Sequence, residues 1–278
     1  GVGPILNYLA TQKPYNNGDC ASGDYYILNN YNPGFAPNGS AQTGTFTVPV
    51  QQNLPSIADE LSAKDVSWAY YGEGWNNGKP LPSWCGICDP FQYDADYPKY
   101  LSEGHIGGYN TFQQAVAKGN LPAVSFVKPG NDDGHPGYST LSQFEGFAQS
   151  VITSVQNQPK LWASTAIMVT MDEGGGYYDS GYVQPISFFG DGTRIPMIVV
   201  SPYTKPGYVS HEYSDHVSID KFIERNWKLS TLSSRSWDNL SNPVATSSNP
   251  YVPTNGPAIS DLFDLFDFHH AQGGPNRQ

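Results

Sequence analysis

Two adjacent carboxylates follow an apolar run in the second half of the chain. Asp172 and Glu173 come directly after residues 166–171 and precede three consecutive glycines at 174–176. At the end of a strand the alternation of side chains between the two faces breaks down, so both carboxylates can turn towards one point. The glycines permit sharp bends and close approach of a ligand. Two hard anionic donors at such a place favour a divalent cation; the alternative is that both acids cap a turn and stay solvated.

Two histidines are the other candidate catalytic residues. His135 lies in the polar segment 130–139, directly after the apolar run 121–129. An imidazole there can hydrogen-bond a phosphoryl oxygen, bind a metal or protonate a leaving group. His216 lies in the first turn of a predicted helix over 214–229. A histidine in that position most often has a structural role and bonds a nearby carbonyl or acid.

Apolar runs that alternate with amphipathic segments predict the fold class. The predicted strands are 66–71, 121–129, 165–173 and 195–203. The predicted helices are 56–64, 110–118, 139–157, 214–229 and 259–268. This order indicates an α/β fold, a mostly parallel sheet with helices on both faces. Such sheets bind ligands outside the carboxyl ends of their strands, where both polar loops lie. We expect a single α/β domain over residues 1–278, with 268–278 as a flexible tail.

Composition excludes some classes of partner. The 278 residues include 14 basic and 25 acidic side chains, which gives a net charge of −11. A nucleic-acid groove needs a basic surface, so we expect no nucleic-acid partner. The same charge leaves no polybasic patch for anionic membranes. No stretch is long and apolar enough to predict a transmembrane segment.

The three cysteines bear on the cellular compartment. Cys85 and Cys88 are separated by two residues, which fits a redox pair, half a zinc site or a small disulfide loop. A structural zinc site usually takes its four ligands from two such pairs, and the sequence has no second pair. We favour the disulfide between Cys85 and Cys88, in which case Cys20 has no partner among the three cysteines. Few lysines and a disulfide predict a secreted or periplasmic protein.

Several colinear segments carry a family resemblance. They are YYILNNYNPGF, IADELSAKDVSWAYY, CDPFQY, LPAVSFVKP, DDGHPG, IMVTMDEGGGYYD and TRIPMIVVSPYTKPGYVSHEYSDHVSIDKFIERNW. These segments, and their order along the chain, resemble the metal-dependent phosphoesterases that include bacterial phospholipases C and periplasmic acid phosphatases. The resemblance implies an alkaline-phosphatase-like fold, a phosphate-ester substrate and a divalent metal ion. Calcium, magnesium, manganese, iron and zinc all remain open.

The resemblance also implies roles for the candidate residues. Asp172 and Glu173 match the family's acidic pair that binds the active-site metal. His135 matches a histidine that contacts the phosphoryl group. His216 matches a histidine in an Asp-His-x-Ser helix start, with its role left open. Ser180 stands where family members often have a further histidine after Tyr-Asp.

A larger departure concerns the front of the family's fold. The family's Glu-Asn metal-binding pair and its Ser or Thr nucleophile have no counterpart in this sequence. We therefore expect the chain to be the C-terminal portion of the domain, with its own N-terminal fragment as a further candidate partner. An inactive fragment or a binding module is the alternative to an enzyme. The sequence does not distinguish phosphomonoesters from phospholipids as the substrate.

Overall fold

A computed structural model describes residues 31–44, 47–50, 52, 55–186 and 190–269. The α-helices are α1 (Ile57–Ala63), α2 (Tyr97–Ser102), α3 (Tyr109–Lys118), α4 (Leu141–Gln156), α5 (Pro159–Trp162) and α6 (Val217–Trp227). The strands are β1 (Trp68–Gly72), β2 (Ile106–Gly108), β3 (Val124–Lys128), β4 (Ile167–Thr170) and β5 (Met197–Val200). Short 3-10 helices occur at Pro90–Tyr93, Trp237–Asn239 and Phe263–Leu265. Within these ranges no helix has the length and apolar character needed to cross a bilayer. Cys20 and tail residues 270–278 lie outside them.

Local side-chain chemistry sets the helix ends. Ser56 begins α1 with a capping box: its hydroxyl accepts from the amide of Asp59 at 3.3 Å, and the Asp59 carboxylate accepts from the amide of Ser56 at 3.0 Å. These bonds satisfy amides that the first turn leaves unpaired. Helix α3 ends at Gly119, whose φ of +68° is a left-handed conformation that glycine adopts without steric cost. Both predicted boundaries are confirmed.

A parallel sheet of three strands, in the order β2-β1-β3, forms the centre. In its register Gly72 of β1 pairs with Gly108 of β2 and with Lys128 of β3. The three strands therefore end level, and their carboxyl ends form one edge. The predicted α/β class and the central parallel sheet are confirmed.

Helices cover both faces of this sheet. Trp68 and Tyr70 of β1 join a core cluster with α1, α2 and Ile223 of α6. Ala69 and Tyr71, the alternate residues, join a second cluster with α3 and α4. Because successive strand residues point to opposite faces, β1 anchors both layers, and all four of these residues are buried.

The last two strands form a separate antiparallel pair. Ile167 pairs with Val200 and Thr170 with Met197. A strand over 195–203 was expected in a mostly parallel arrangement, and its direction is opposite to that of β4. A parallel return needs a crossover, usually a helix. The described part of the connection between β4 and β5 contains no helix.

The predicted helix over 259–268 is wrong. Only the 3-10 turn Phe263–Leu265 forms there, and Leu262 before it is left-handed with φ +62°. The Ser260 hydroxyl accepts from the amide of Leu262, and the Asp261 carboxylate accepts from the amide of Phe263. Such short side-chain bonds compete with helical ones. Phe268 stacks on Phe266 with ring centroids 5.1 Å apart.

The predicted disulfide joins Cys85 and Cys88. Asp89 follows it and begins the 3-10 helix, accepting a hydrogen bond from the amide of Phe91 at 3.0 Å. Burial raises the pKa of Asp89 to about 7. The disulfide loop is thus anchored in the core through the residue next to it.

Candidate functional site

The two polar loops predicted to carry the site meet beyond the carboxyl ends of β3 and β4. The Nζ atom of Lys128, the last residue of β3, lies 3.8 Å from Oδ2 of Asp172. A methyl group at Gly175 would lie 3.3 Å from Cγ of Pro136 and 3.1 Å from the ring of Tyr177. The loop after β4 is therefore in van der Waals range of the His-Pro step.

The two acids make different local contacts. Asp172 is 68 % exposed and faces the ammonium group of Lys128. Glu173 is also exposed, and its Oε2 accepts a hydrogen bond from the amide of Gly175 at 2.6 Å. This bond closes the turn that begins the glycine run, so Glu173 shapes the loop as well as presenting a carboxylate.

The acid pair fits part of a coordination sphere for a hard cation. Carboxylate oxygens are the donors that calcium, magnesium and manganese prefer. Among the described residues, no group of three or more His, Cys, Asp or Glu side chains is gathered to hold a metal. Asp172 and Glu173 thus offer a partial ligand set.

His135 is exposed in the loop after β3. Its amide donates to Oδ1 of Asp133 at 2.9 Å, and its Nδ1 lies 2.8 Å from the carbonyl oxygen of Pro136. A carbonyl can only accept, so Nδ1 carries the proton and Nε2 is the nitrogen available to a ligand. The ring of Tyr138 lies 4.7 Å from the imidazole, centroid to centroid. The imidazole is thus oriented by its own loop.

His216 stands at the start of α6 and contacts the acidic loop. Its Nε2 lies 2.9 Å from the carbonyl oxygen of Met171, the residue before Asp172. With Nε2 donating to this carbonyl, the imidazole ties the helix start to the main chain that carries the acid pair. In this arrangement His216 orients the acidic turn.

An ion pair that the sequence analysis missed fixes the far end of the glycine run. Asp179 accepts from the Nη2 of Arg194 at 2.7 Å, from its Nε at 3.0 Å and from its amide at 2.8 Å. These hydrogen bonds hold the pKa of Asp179 well below its usual range. A methyl group at Gly181 would overlap the guanidinium, and one at Gly174 would overlap the Thr193 side chain. The segment from 174 to 181 is therefore held at both ends by 193–194.

Lys128 was also missed by the sequence analysis. The available signal was its position as the last strand residue before Pro129, because that position places a side chain at the edge where ligands bind. The structure brings together Asp172, Glu173, Lys128 and the His135-Pro136 loop. Asp172 and Glu173 could supply part of a cation's ligands, Lys128 could meet an anionic group, and the imidazole of His135 lies on the neighbouring loop.

The chain is similar to known proteins over most of its length. The sequence profile of the Phosphoesterase family matches residues 6–230. Hemolytic phospholipase C of Pseudomonas aeruginosa is 29% identical over 259 residues, which cover 77% of this chain and 33% of that protein. Non-hemolytic phospholipase C of the same organism is 24% identical, over 78% of this chain and 36% of that protein.

A mycobacterial relative is similar over a comparable stretch. Phospholipase C A of Mycobacterium tuberculosis is 25% identical over 268 residues, 83% of this chain and 50% of that protein. The chain therefore spans between a third and a half of the length of these relatives.

Proposed function

The chain belongs to the phosphoesterase family, and from this premise we propose that it hydrolyses phosphate esters with a divalent metal ion held in part by Asp172 and Glu173. The observation that carries the proposal is the meeting of two loops at one edge. Lys128 approaches Asp172 to 3.8 Å, and Gly175 lies against Pro136. The acid pair and an imidazole thereby stand on neighbouring loops.

A bound divalent cation would neutralise charge on the phosphoryl group and lower the pKa of a nucleophilic hydroxyl. In our proposal Asp172 and Glu173 hold this ion, and His135, when it is protonated on both ring nitrogens, donates from Nε2 to a non-bridging oxygen or protonates the leaving oxygen. His216 holds the carbonyl of Met171 and so orients the acids. In our proposal the nucleophile is a Ser or Thr hydroxyl, which the family resemblance places in the family's N-terminal part.

The substrate class and the compartment are part of the proposal. The relatives named above are called phospholipases C, which makes phospholipids candidate substrates; phosphomonoesters are the other candidates. The disulfide between Cys85 and Cys88 supports an oxidising compartment, that is, a secreted or periplasmic protein.

Chelation tests this function. The chain, alone and mixed with any copurifying fragment, is assayed on p-nitrophenyl phosphate before and after treatment with EDTA. We expect hydrolysis that EDTA abolishes and that one divalent metal restores. Asp172→Asn keeps the shape of the side chain and should lower turnover by orders of magnitude, because the metal acts on the transition state. Turnover that survives both EDTA and Asp172→Asn would contradict the proposal.

A non-catalytic binding function is the second candidate. Three tyrosines near the site are strongly exposed: Tyr138 at 83%, Tyr177 at 71% and Tyr178 at 93%. Exposed aromatic rings with a polar end suit recognition of another molecule. Saturable binding of p-nitrophenyl phosphate without turnover, under every metal tried and with the N-terminal fragment present, would favour this function over hydrolysis.

A further inference from the structure

The main chain around Lys128 is rigidly held. Its carbonyl accepts a hydrogen bond from the amide of Glu73 at 2.9 Å, and it pairs in register with Gly72. The Glu73 carboxylate in turn accepts from the amide of Gly130 at 2.8 Å. Strand β3 is thereby tied to the end of β1 on both sides of Lys128. The main chain that carries the Lys128 side chain therefore has a fixed position at the edge of the sheet.

The ion pair with Asp172 contributes too little stability to explain why position 128 is a lysine. The two charged atoms are 3.8 Å apart, and Asp172 is 68 % exposed. An ion pair with an exposed partner contributes little to stability, while fixing a lysine side chain costs conformational entropy. The Lys128 side chain is only 23 % exposed, so most of its stem is out of water. Its charged end nevertheless reaches the proposed site.

The negative charge around the site favours a positively charged side chain for binding a phosphate ester. The chain carries a net charge of −11, and Asp172 and Glu173 add negative charge where a phosphate ester would approach. The guanidinium of Arg194, beside the same loop, already donates through Nε and Nη2 to Asp179. An ammonium group has three donors, so Lys128 keeps two for another acceptor while one faces Asp172.

We infer that Lys128 is a substrate-binding residue of this site, whose ammonium group binds the non-bridging oxygens of a phosphate ester; the inference rests on the proposed function. The shared chemistry of its ligands is the phosphoryl dianion, whether free or esterified. Lys128 also faces Asp172, so it holds positive charge beside a proposed metal ligand. Its removal should therefore weaken phosphate binding without weakening metal binding.

The test compares three variants with the wild type. Lys128→Met removes the charge, Lys128→Arg keeps it, and Lys118→Met is the matched control. Lys118 is exposed at the end of α3, just before the chain enters β3 at the opposite edge of the sheet. Calorimetry measures the affinity for Mn²⁺ and then for inorganic phosphate in the Mn²⁺-loaded protein. Thermal unfolding shows whether each variant is folded, and KM and kcat are measured with p-nitrophenyl phosphate.

We expect Lys128→Met to bind phosphate about 10-fold or more weakly, since it loses charge-assisted hydrogen bonds. Its affinity for Mn²⁺ should be unchanged or higher, because a competing positive charge is gone. Lys128→Arg should keep most of the phosphate affinity, and Lys118→Met all of it. Unchanged phosphate affinity in Lys128→Met would overturn the inference. A parallel loss of Mn²⁺ affinity would also overturn it, because Lys128 would then only position Asp172.

Failure of the inference and failure of the proposed function give different results. If the wild type hydrolyses the ester and Lys128→Met equals it in phosphate affinity and KM, only the inference fails. If the wild type mixed with the N-terminal fragment turns over no ester while Lys128→Met loses phosphate affinity, hydrolysis fails and Lys128 stands as an anion-binding residue. A wild type that binds no phosphate contradicts both.

Discussion

Two neighbouring glycines provide a matched test of the contact between the loops. Gly175 and Gly176 both have positive φ, +64° and +72°. A methyl group at Gly175 would lie 3.1 Å from the ring of Tyr177 and 3.3 Å from Cγ of Pro136, whereas one at Gly176 would meet nothing within 4 Å. Replacing each by alanine therefore imposes the same backbone strain but crowds the His-Pro step in one case only.

The magnitudes follow from these distances. A left-handed conformation costs a non-glycine residue about 1–2 kcal/mol, and both variants share this cost. Carbon atoms in contact prefer separations of about 3.5–4.0 Å, so Pro136 and Tyr177 must retreat by a few tenths of an ångström from a methyl group at Gly175. A misplacement of about 1 Å can reduce a rate about 100-fold, so this smaller shift should cost about 10-fold in turnover.

The assay measures kcat on p-nitrophenyl phosphate and thermal unfolding for both variants, each mixed with the N-terminal fragment that supplies the nucleophile. We expect the two alanine variants to lose similar stability and Gly175→Ala to be about 10-fold slower than Gly176→Ala. Equal kcat values in the two variants, at equal stability, would show that the contact between the acidic loop and Pro136 has no part in catalysis. That result would refute the geometric basis of the site.

Two further predictions concern charged groups. Arg194→Met frees Asp179 and the glycine run, so we expect the affinity for Mn²⁺ to fall about 10-fold or more; an unchanged affinity in calorimetry would show that the pair does not position the acids. The pKa of Glu224 is raised from 4.5 to about 8. Burial is the largest cause, followed by a hydrogen bond with Asp238; the charge of Asp220 also raises the pKa, and that of Lys221 lowers it. Between pH 4.5 and about 8 the folded chain therefore retains a proton that the unfolded chain releases. The resulting stabilisation of the folded state is fully present below pH 4.5 and is lost as the pH rises through about 8. Within that window one proton changes the free energy of unfolding by up to about 1.4 kcal/mol per pH unit, and Glu224→Gln should remove this slope from urea unfolding curves. Identical slopes in the variant and the wild type would contradict the assignment.

The predictable parts of the fold are those with local causes. Ser56 and Asp59 predict the start of α1 because their side chains satisfy the first amides. Gly119 predicts the end of α3 because glycine enters the left-handed region without cost. The apolar content of β3 and β4 predicts strands at these positions, and their ends place Asp172 and His135 on neighbouring loops. The predicted burial is incomplete, since Val124 alone among the residues of these two strands is buried.

The parts that the sequence did not reveal depend on distant partners. The direction of β5 depends on how its connection returns to β4, which apolar content does not encode. The helix expected over 259–268 fails in part because Asp261 bonds to Arg225 and Asn242 at distant positions. The approach of Lys128 to Asp172 joins the end of β3 to the loop after β4, 44 positions further along the chain, and no local pattern marks it.

The central claim is that the acids at this edge bind a divalent metal ion, and a Mn²⁺ titration of Glu173→Gln tests it most directly. The amide keeps an oxygen that accepts from Gly175, so the variant removes the charge and preserves the turn. Glu145→Gln, the same change on exposed helix α4, is the control. We predict that Glu173→Gln binds Mn²⁺ about 10-fold or more weakly than the wild type and that Glu145→Gln binds it equally well. Equal Mn²⁺ affinity in both variants and the wild type would contradict the claim.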